Sequence, residues 1–136
     1  MLQPDLTSQA YCYLTTTGRR TGNLHTIEIW FGVSGDTLYI LAGGRERSDS
    51  VRNARARPDV RLRVGYTTFA ANARFLAPDS DEDALARRLL LEKYAPGYSG
   101  NLDNWGRTSL PLAFDLERVI PTDPADALWP KGKRLG

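Results

Sequence analysis

The chain has 136 residues, 41% of them apolar and 25% charged, with a formal net charge of +2. That is one domain with a core of its own and none of the unbalanced charge that marks disorder. No apolar run approaches a bilayer's thickness and the N-terminus lacks a basic region followed by an apolar stretch, so a cytoplasmic protein without an integral membrane segment is expected.

In chain order, six segments carry strand signals, rich in Val, Ile, Thr, Tyr and Phe and broken by turn residues. They are YCYLTTT (11–17), LHTIEIWFGV (24–33), TLYILAG (37–43), VRLRVGY (60–66), TFAANARFL (68–76) and LAFDLERVI (112–120). In the second, alternation places His25, Ile27, Ile29 and Phe31 on the core face, and Glu28 shares the other face with Trp30. SGD at 34–36 reads as a hairpin turn. A short helix is expected over SDSVRNARARP, capped by Ser48 or Asp49, with Val51 and Ala54 inward and its arginines outward. A longer helix is expected over SDEDALARRLLLEKYAPG, with Ser80 and Asp83 at its start and Pro96 and Gly97 ending it. Strands predominate without regular βαβ alternation, which predicts a mainly β (α+β) fold, a small barrel with inserted helices. The whole chain, 1–136, reads as a single domain: the barrel covers about 11–120, and 121–136 is a tail whose Trp129 docks back.

Three stretches carry candidate chemistry. TTTGRRTG brings the hydroxyls of Thr16, Thr17 and Thr21 beside Arg19 and Arg20, with Gly18 and Gly22 leaving backbone N–H groups approachable. This composition suits a phosphate and equally suits a solvated basic hairpin; the absence of a following Lys-Ser/Thr and helix excludes a Walker loop. In LAGGRERSD, Gly43 and Gly44 either admit a flat ligand to the backbone or form a flexible loop. KYAPGYSGNLDNWGR (93–107) reads as a loop too long and too aromatic for simple connection, which places Tyr94, Tyr98 and Trp105 either around a pocket or in helix-end and dimer packing.

Cys12 and His25 are each the single residue of their type, which excludes an intrachain disulfide and a Cys/His zinc site, and no metal is expected. Glu28 and His25 are the candidate general acid/base groups, and the sequence alone does not identify a partner for either. Fifteen of the 18 basic residues are arginine, and residues 45–63 hold seven arginines against three acids. Nucleic acid is one reading of that stretch, but Arg61 and Arg63 lack the interleaved exposed aromatics of a stacking platform.

Taken in order, LTTTGRRTG leading into HTIEIWF, then LYILAGG, then SDSVRNARARPDVRLRVG, resembles the deazaflavin-dependent nitroreductase family of the split-barrel flavin and deazaflavin oxidoreductases. The resemblance covers about 11–120. It implies a six-stranded split β-barrel of the FMN-binding type, with two or three short helices, binding coenzyme F420; FMN is the alternative, and more distant relatives bind haem or other tetrapyrroles. It further implies that Thr16, Thr17, Gly18, Arg19, Arg20 and Thr21 hold the cofactor's phosphate and acidic tail, with His25 where many members have another basic residue. Leu41, Ala42, Gly43 and Gly44 would line its ring, and Ser48, Asp49, Val51, Arg52 and Asn53 would belong to the helix that closes over it. Ser50 stands where many members carry an aromatic. Glu28 and Trp30 fall on the substrate side, and Tyr94 or Tyr98 would supply a proton.

The implied reaction is hydride transfer between the cofactor and a small acceptor such as an enone, quinone or nitroaromatic compound. In such chemistry the protein orients and shields while the cofactor reacts. The expected partner is therefore a small-molecule substrate and not nucleic acid; the resemblance implies a homodimer, as split-barrel relatives often form, with a monomer as the alternative. A non-catalytic deazaflavin or tetrapyrrole carrier of the same fold is the other expectation.

Overall fold

A computed structural model of the chain describes residues 4–122. Seven strands form one antiparallel sheet: β1 (Cys12–Thr17), β2 (Leu24–Ile29), β3 (Gly32–Ser34), β4 (Thr37–Ala42), β5 (Asp59–Val64), β6 (Thr67–Phe75) and β7 (Leu110–Ile120). Around it lie α1 (Pro4–Thr7), α2 (Asp49–Ala56), α3 (Asp81–Tyr94) and α4 (Asp103–Thr108), with 3-10 turns at Arg45–Arg47 and Ala95–Gly97. None of the helices among the described residues is long and apolar enough to cross a membrane. The docking expected of Trp129 lies outside the described residues.

The strand order is β2-β1-β5-β6-β7-β4-β3, so the two outermost strands are consecutive in the chain. Laid flat, seven strands would separate those edges by about 29 Å at ~4.8 Å per spacing. Only Trp30 and Phe31 intervene between β2 and β3, and three residue steps reach no more than about 11 Å. The sheet therefore curls into a half-barrel whose two edges meet at this junction.

This junction also corrects the expected strand count, seven instead of six, because segment 24–33 is two strands. The Phe31 ring is fully buried in the barrel, and Trp30 stacks on Tyr94 of α3, ring centres 4.3 Å apart and 4° from parallel. The Phe31 backbone is satisfied by α3 side chains instead of a strand neighbour. Its N–H donates to Tyr94 Oη at 3.0 Å, and its carbonyl accepts from Lys93 Nζ and lies within reach of Tyr94 Oη, both at 3.1 Å.

Leu14, Leu38, Ile40, Leu62, Phe69, Leu112 and Phe114 fill the barrel with Phe31. On the other face of β4, Tyr39 and Leu41 pack with Ala113 against Ala86 and Leu90 of α3. Strand β4 is thus apolar on both faces, which is why TLYILAG does not alternate. The expected helix starts hold: Ser80 Oγ accepts the Asp83 N–H at 3.2 Å, and α2 buries Val51 and Ala54. Residues 93–107, expected as a loop, instead begin with the end of α3 and contain a 3-10 turn and most of α4. Gly106 lets α4 sit close on α3, since a Cβ there would fall 2.7 Å from Leu91 Cδ1. Six residues give no apolar period to read.

One polar network ties α3 to the sheet. Arg74 of β6 forks onto both Glu82 carboxylate oxygens at 2.8 Å and reaches Asp115 of β7 at 2.6 Å, while Tyr39 Oη donates to Glu82 at 2.7 Å. The Arg74 guanidinium first, and the Tyr39 hydroxyl second, hold the Glu82 carboxyl down at about 2. A folded-state value below the ordinary 4.5 means that this stabilisation is complete above that pH and is lost as pH falls toward about 2. Urea unfolding at pH 7, 5 and 3 is expected to show Glu82→Gln less stable than the parent at pH 7. The variant should lose less than the parent between pH 5 and 3.

Candidate functional site

The loop between β1 and β2 is closed by its own backbone. Gly18 N–H donates to the Asn23 carbonyl at 2.7 Å and Gly22 N–H to the Gly18 carbonyl at 2.9 Å. Of the backbone N–H groups expected to be approachable in this turn, those of Gly18 and Gly22 are spent on closing it. What the glycines supply is geometry. Gly22 has φ +79°, and a Cβ on Gly18 would fall 2.9 Å from His25 Nε2 and 3.0 Å from the Asn23 carbonyl.

Arg19 is folded back onto α2. Its backbone N–H and its Nη1 both donate to Asn53 Oδ1, at 3.2 and 2.8 Å, and its Nη2 lies 3.4 Å from Asp49 Oδ1. Asn53 is buried and its Nδ2 reaches Thr16 Oγ1 at 3.4 Å, so Thr16 holds α2 against β1 instead of facing a ligand. Arg20 remains exposed. Together Gly18, Arg19, Arg20, Thr21, His25, Asp49 and Asn53 line a cavity of about 360 Å³, joined by Asn23, Thr26, Ile27 and Ser50. Its donor set of guanidinium, hydroxyl and amide groups suits an oxyanion. Thr17 is half-buried outside that lining, Val51 is in the core, and Arg52 Nε donates to the Glu46 carbonyl. His25, expected on the core face, is exposed at the cavity.

Further along β2 opens a second cavity, of about 460 Å³, lined by Tyr11, Glu28, Ile29, Trp30, Leu41, Tyr98, Asn101, Leu102 and Trp105. Trp30 forms its floor by meeting Tyr98 and Trp105 edge to face, ring centres 5.9 and 5.5 Å away. Flat aromatic walls set with a few polar side chains, here Glu28 and Asn101, are the composition of a small-molecule pocket. Glu28 is buried here and accepts from Tyr13 Oη at 2.8 Å. Burial first, then that bond, raises the Tyr13 phenol above its ordinary value.

Tyr94 lies behind Trp30 and outside this lining. Its hydroxyl accepts from Phe31 N–H and its single proton goes to the carbonyl of Ala10 (2.8 Å) or Phe31, and burial raises its pKa. Ala42 is buried, whereas Gly43 and Gly44 are exposed; Gly43 runs beside Trp105, whose Cδ1 would lie 3.7 Å from a Cβ there. Ser48 is the N-cap of α2, without a side-chain bond to it. Ser50, in the helix that the resemblance places over the cofactor, does line the cavity, whereas Asn23 and Thr26, and the basin residues Tyr11, Asn101 and Leu102, carry no sequence signal of their own. Cys12 is fully buried, which pushes its thiol up to about 12, and among the described residues no His, Cys, Asp and Glu groups cluster in a metal-holding arrangement.

A curled antiparallel sheet with ligand-sized cavities along one edge is the split barrel of the flavin and deazaflavin oxidoreductases. An F420-H2 dependent reductase of this fold superposes with a TM-score of 0.62 at 20% identity, over 79% of this chain and 94% of that one. HutZ, the haem storage protein of Vibrio cholerae, does so with a TM-score of 0.66 at 14% identity, over 85% and 88%. The chain belongs to the F420H(2)-dependent quinone reductase family, whose model matches residues 4–116. The F420H(2)-dependent quinone reductase Rv1261c of Mycobacterium tuberculosis is 31% identical over 102 residues, 73% of this chain and 66% of that protein. The match thus spans just under two thirds of that relative's length.

Because the Tyr94 hydroxyl carries the Phe31 N–H, Tyr94→Phe is expected to destabilise the fold by about 1–3 kcal/mol, the cost of a buried donor left unmade. Urea denaturation followed by tryptophan fluorescence measures this, and an unchanged midpoint would remove the hydroxyl from the junction.

Proposed function

We propose that the chain is an F420-dependent oxidoreductase that reduces a small organic acceptor of the enone, quinone or nitroaromatic type, quinones first. The observation that carries this reading is the pair of cavities on one strand: His25, Thr26 and Ile27 of β2 face an anion-suited cavity, while Glu28 and Ile29, with Trp30 just beyond, face an aromatic basin. A ligand with a flat ring at one end and a phosphate at the other matches that spacing of chemistries. Family membership supports the choice of F420 among such ligands.

When bound, F420 supplies the hydride. The chain's own residues do the rest. Arg20 and Thr21 hold the phosphate, the Arg19–Asn53 bonds fix the loop that presents them, and the ring enters the basin beside Leu41 at the end of β4. Trp30, Tyr98 and Trp105 wall that basin, hold the acceptor against the ring and exclude water. Reduction of a carbonyl acceptor also takes up a proton, and Tyr98 Oη is the group we assign to deliver it; Tyr94 positions Trp30 from behind.

The partner is a small molecule and not nucleic acid, a reading supported by Arg63, whose guanidinium lies 4.3 Å from the centre of the Tyr13 ring and donates to the Gly65 carbonyl. We further propose a homodimer, supported by the exposed Leu24 on the open edge of β2; sedimentation velocity checks it.

Fluorescence titration with F420 and with FMN, followed by reduced-F420 oxidation against a panel of quinones, tests the main reading. F420 binding with quinone turnover is expected. Preference for FMN would replace the cofactor, and binding without turnover on any acceptor would make the protein a carrier. Arg20→Ala should weaken F420 binding more than tenfold, and Tyr98→Phe should lower kcat by about 10²-fold or more with little change in cofactor affinity. A Tyr98→Phe variant that turns over like the parent would assign the proton to solvent.

A further inference from the structure

Tyr98 and Trp105 both stand nearly upright on Trp30, at 87° and 88° to its plane, with ring centres 5.9 and 5.5 Å away. A corner between perpendicular rings offers more than one electron-rich π face to a single small group. That is how aromatic cages hold a quaternary ammonium ion. The fold sets its own cations on other rings: Arg55 over Phe75, Arg63 over Tyr13, and Lys93 against Phe31 and Tyr94. Among the described residues none lies over Trp30, Tyr98 or Trp105. The basin's lining includes one acidic side chain, Glu28, and no lysine, arginine or histidine. Glu28 takes its bond from the Tyr13 phenol, which adds no positive charge, and Arg63 stands two strands away across Tyr13.

We propose that the basin is an organic-cation site, in which a quaternary ammonium group sits in the corner made by Trp30, Tyr98 and Trp105, on the side of the Glu28 carboxylate. The acceptor it prefers is then one that carries such a fixed positive charge. Binding of the cation stands on the basin's geometry alone, whereas calling the bound molecule an acceptor rests on the proposed function. A neutral group of the same shape buries the same apolar surface and gives up less hydration, so a basin of merely apolar character favours the neutral group. Preference for the cation therefore reports the π faces and the carboxylate.

The test compares choline with 3,3-dimethylbutan-1-ol, which share a hydroxyethyl chain and a three-methyl head and differ in having a charged nitrogen or a neutral carbon at its centre. Dissociation constants are measured at pH 7 by NMR titration of the ligands' own methyl resonances, for the parent, Trp105→Leu, Trp105→Phe and Glu28→Gln. The parent is expected to bind choline about fivefold or more tightly than the alcohol. Trp105→Leu, which removes a π face, and Glu28→Gln, which removes the carboxylate, should each shrink that ratio by about threefold or more. Trp105→Phe, which keeps a ring, should still favour choline. A parent that binds the alcohol as tightly as choline, a parent that binds neither, or Trp105→Leu and Glu28→Gln variants with the parent's ratio would each overturn the proposal. Oxidation of reduced F420 by neutral quinones, run on the same parent sample, reports separately on the proposed function. Turnover without a preference for choline sinks only the cation site, and a preference for choline without turnover of any quinone sinks only the acceptor reading.

Discussion

The two-residue junction between β2 and β3 is the constraint on which the rest of the structure depends. Because Trp30 and Phe31 alone join the opposite edges of a seven-stranded sheet, the sheet has no flat solution. Closing it places consecutive side chains in different environments. Phe31 goes into the barrel and Trp30 goes outside, onto Tyr94. The aromatic basin is assembled around the ring that the junction turns outward, so the geometry that closes the barrel also makes the floor of the pocket. Strand β2 then carries the site's two chemistries in sequence, since its start abuts the arginine loop and its end leads into the junction.

Arginine is abundant in this chain, but most of the arginines whose contacts are described serve the fold. Arg74 bridges two carboxylates, and Arg87 pairs with Asp83 at 2.5 Å and reaches the carbonyls of Gly106 and Arg107 at the end of α4. Arg55 lies over the Phe75 ring, 4.0 Å from its centre, and Arg45, at φ 52°, donates to the Thr108 carbonyl. A fork of planar donors can satisfy several acceptors at once, which suits it to tying helices to a sheet as much as to holding anions. Sequence counts alone cannot separate those uses, because the difference lies in which acceptor is within reach.

That limit accounts for what was legible and what was not. Strand positions were readable from β-branched and aromatic runs, and α3 from its Ser80 cap and apolar face, because those signals act between neighbours in the chain. The break at Trp30–Phe31 was invisible, since its cause is an acceptor and donor pair from residues 93 and 94, more than 60 positions away. The TTTGRRTG motif marked the right place for the cavity but misassigned its parts: Thr16 and the Gly18 N–H are consumed internally, Arg19 is pinned by Asn53, and His25 leaves the core face. Motif reading locates such a loop, whereas the loop's own hydrogen-bond closure decides which groups are left over for a ligand.

Lys93 shows why the junction needs a polar helix end. Its ammonium lies 3.6 Å from the centre of the Phe31 ring and donates to the carbonyls of Phe31 and Thr7, and burial lowers its pKa from 10.5 to about 8. A leucine at this position would bury more apolar surface but leave the Thr7 carbonyl without this donor and the Phe31 carbonyl to share the single Tyr94 proton with Ala10, and a neutral amide could not also sit as a cation against the ring. The lowered pKa is the cost of placing three donors on one flexible stem where the chain must reverse. Together with Tyr94 it completes the hydrogen bonding of the Phe31 peptide groups. The floor of the aromatic basin is therefore held by two adjacent residues at the end of a helix, on the side facing away from any ligand.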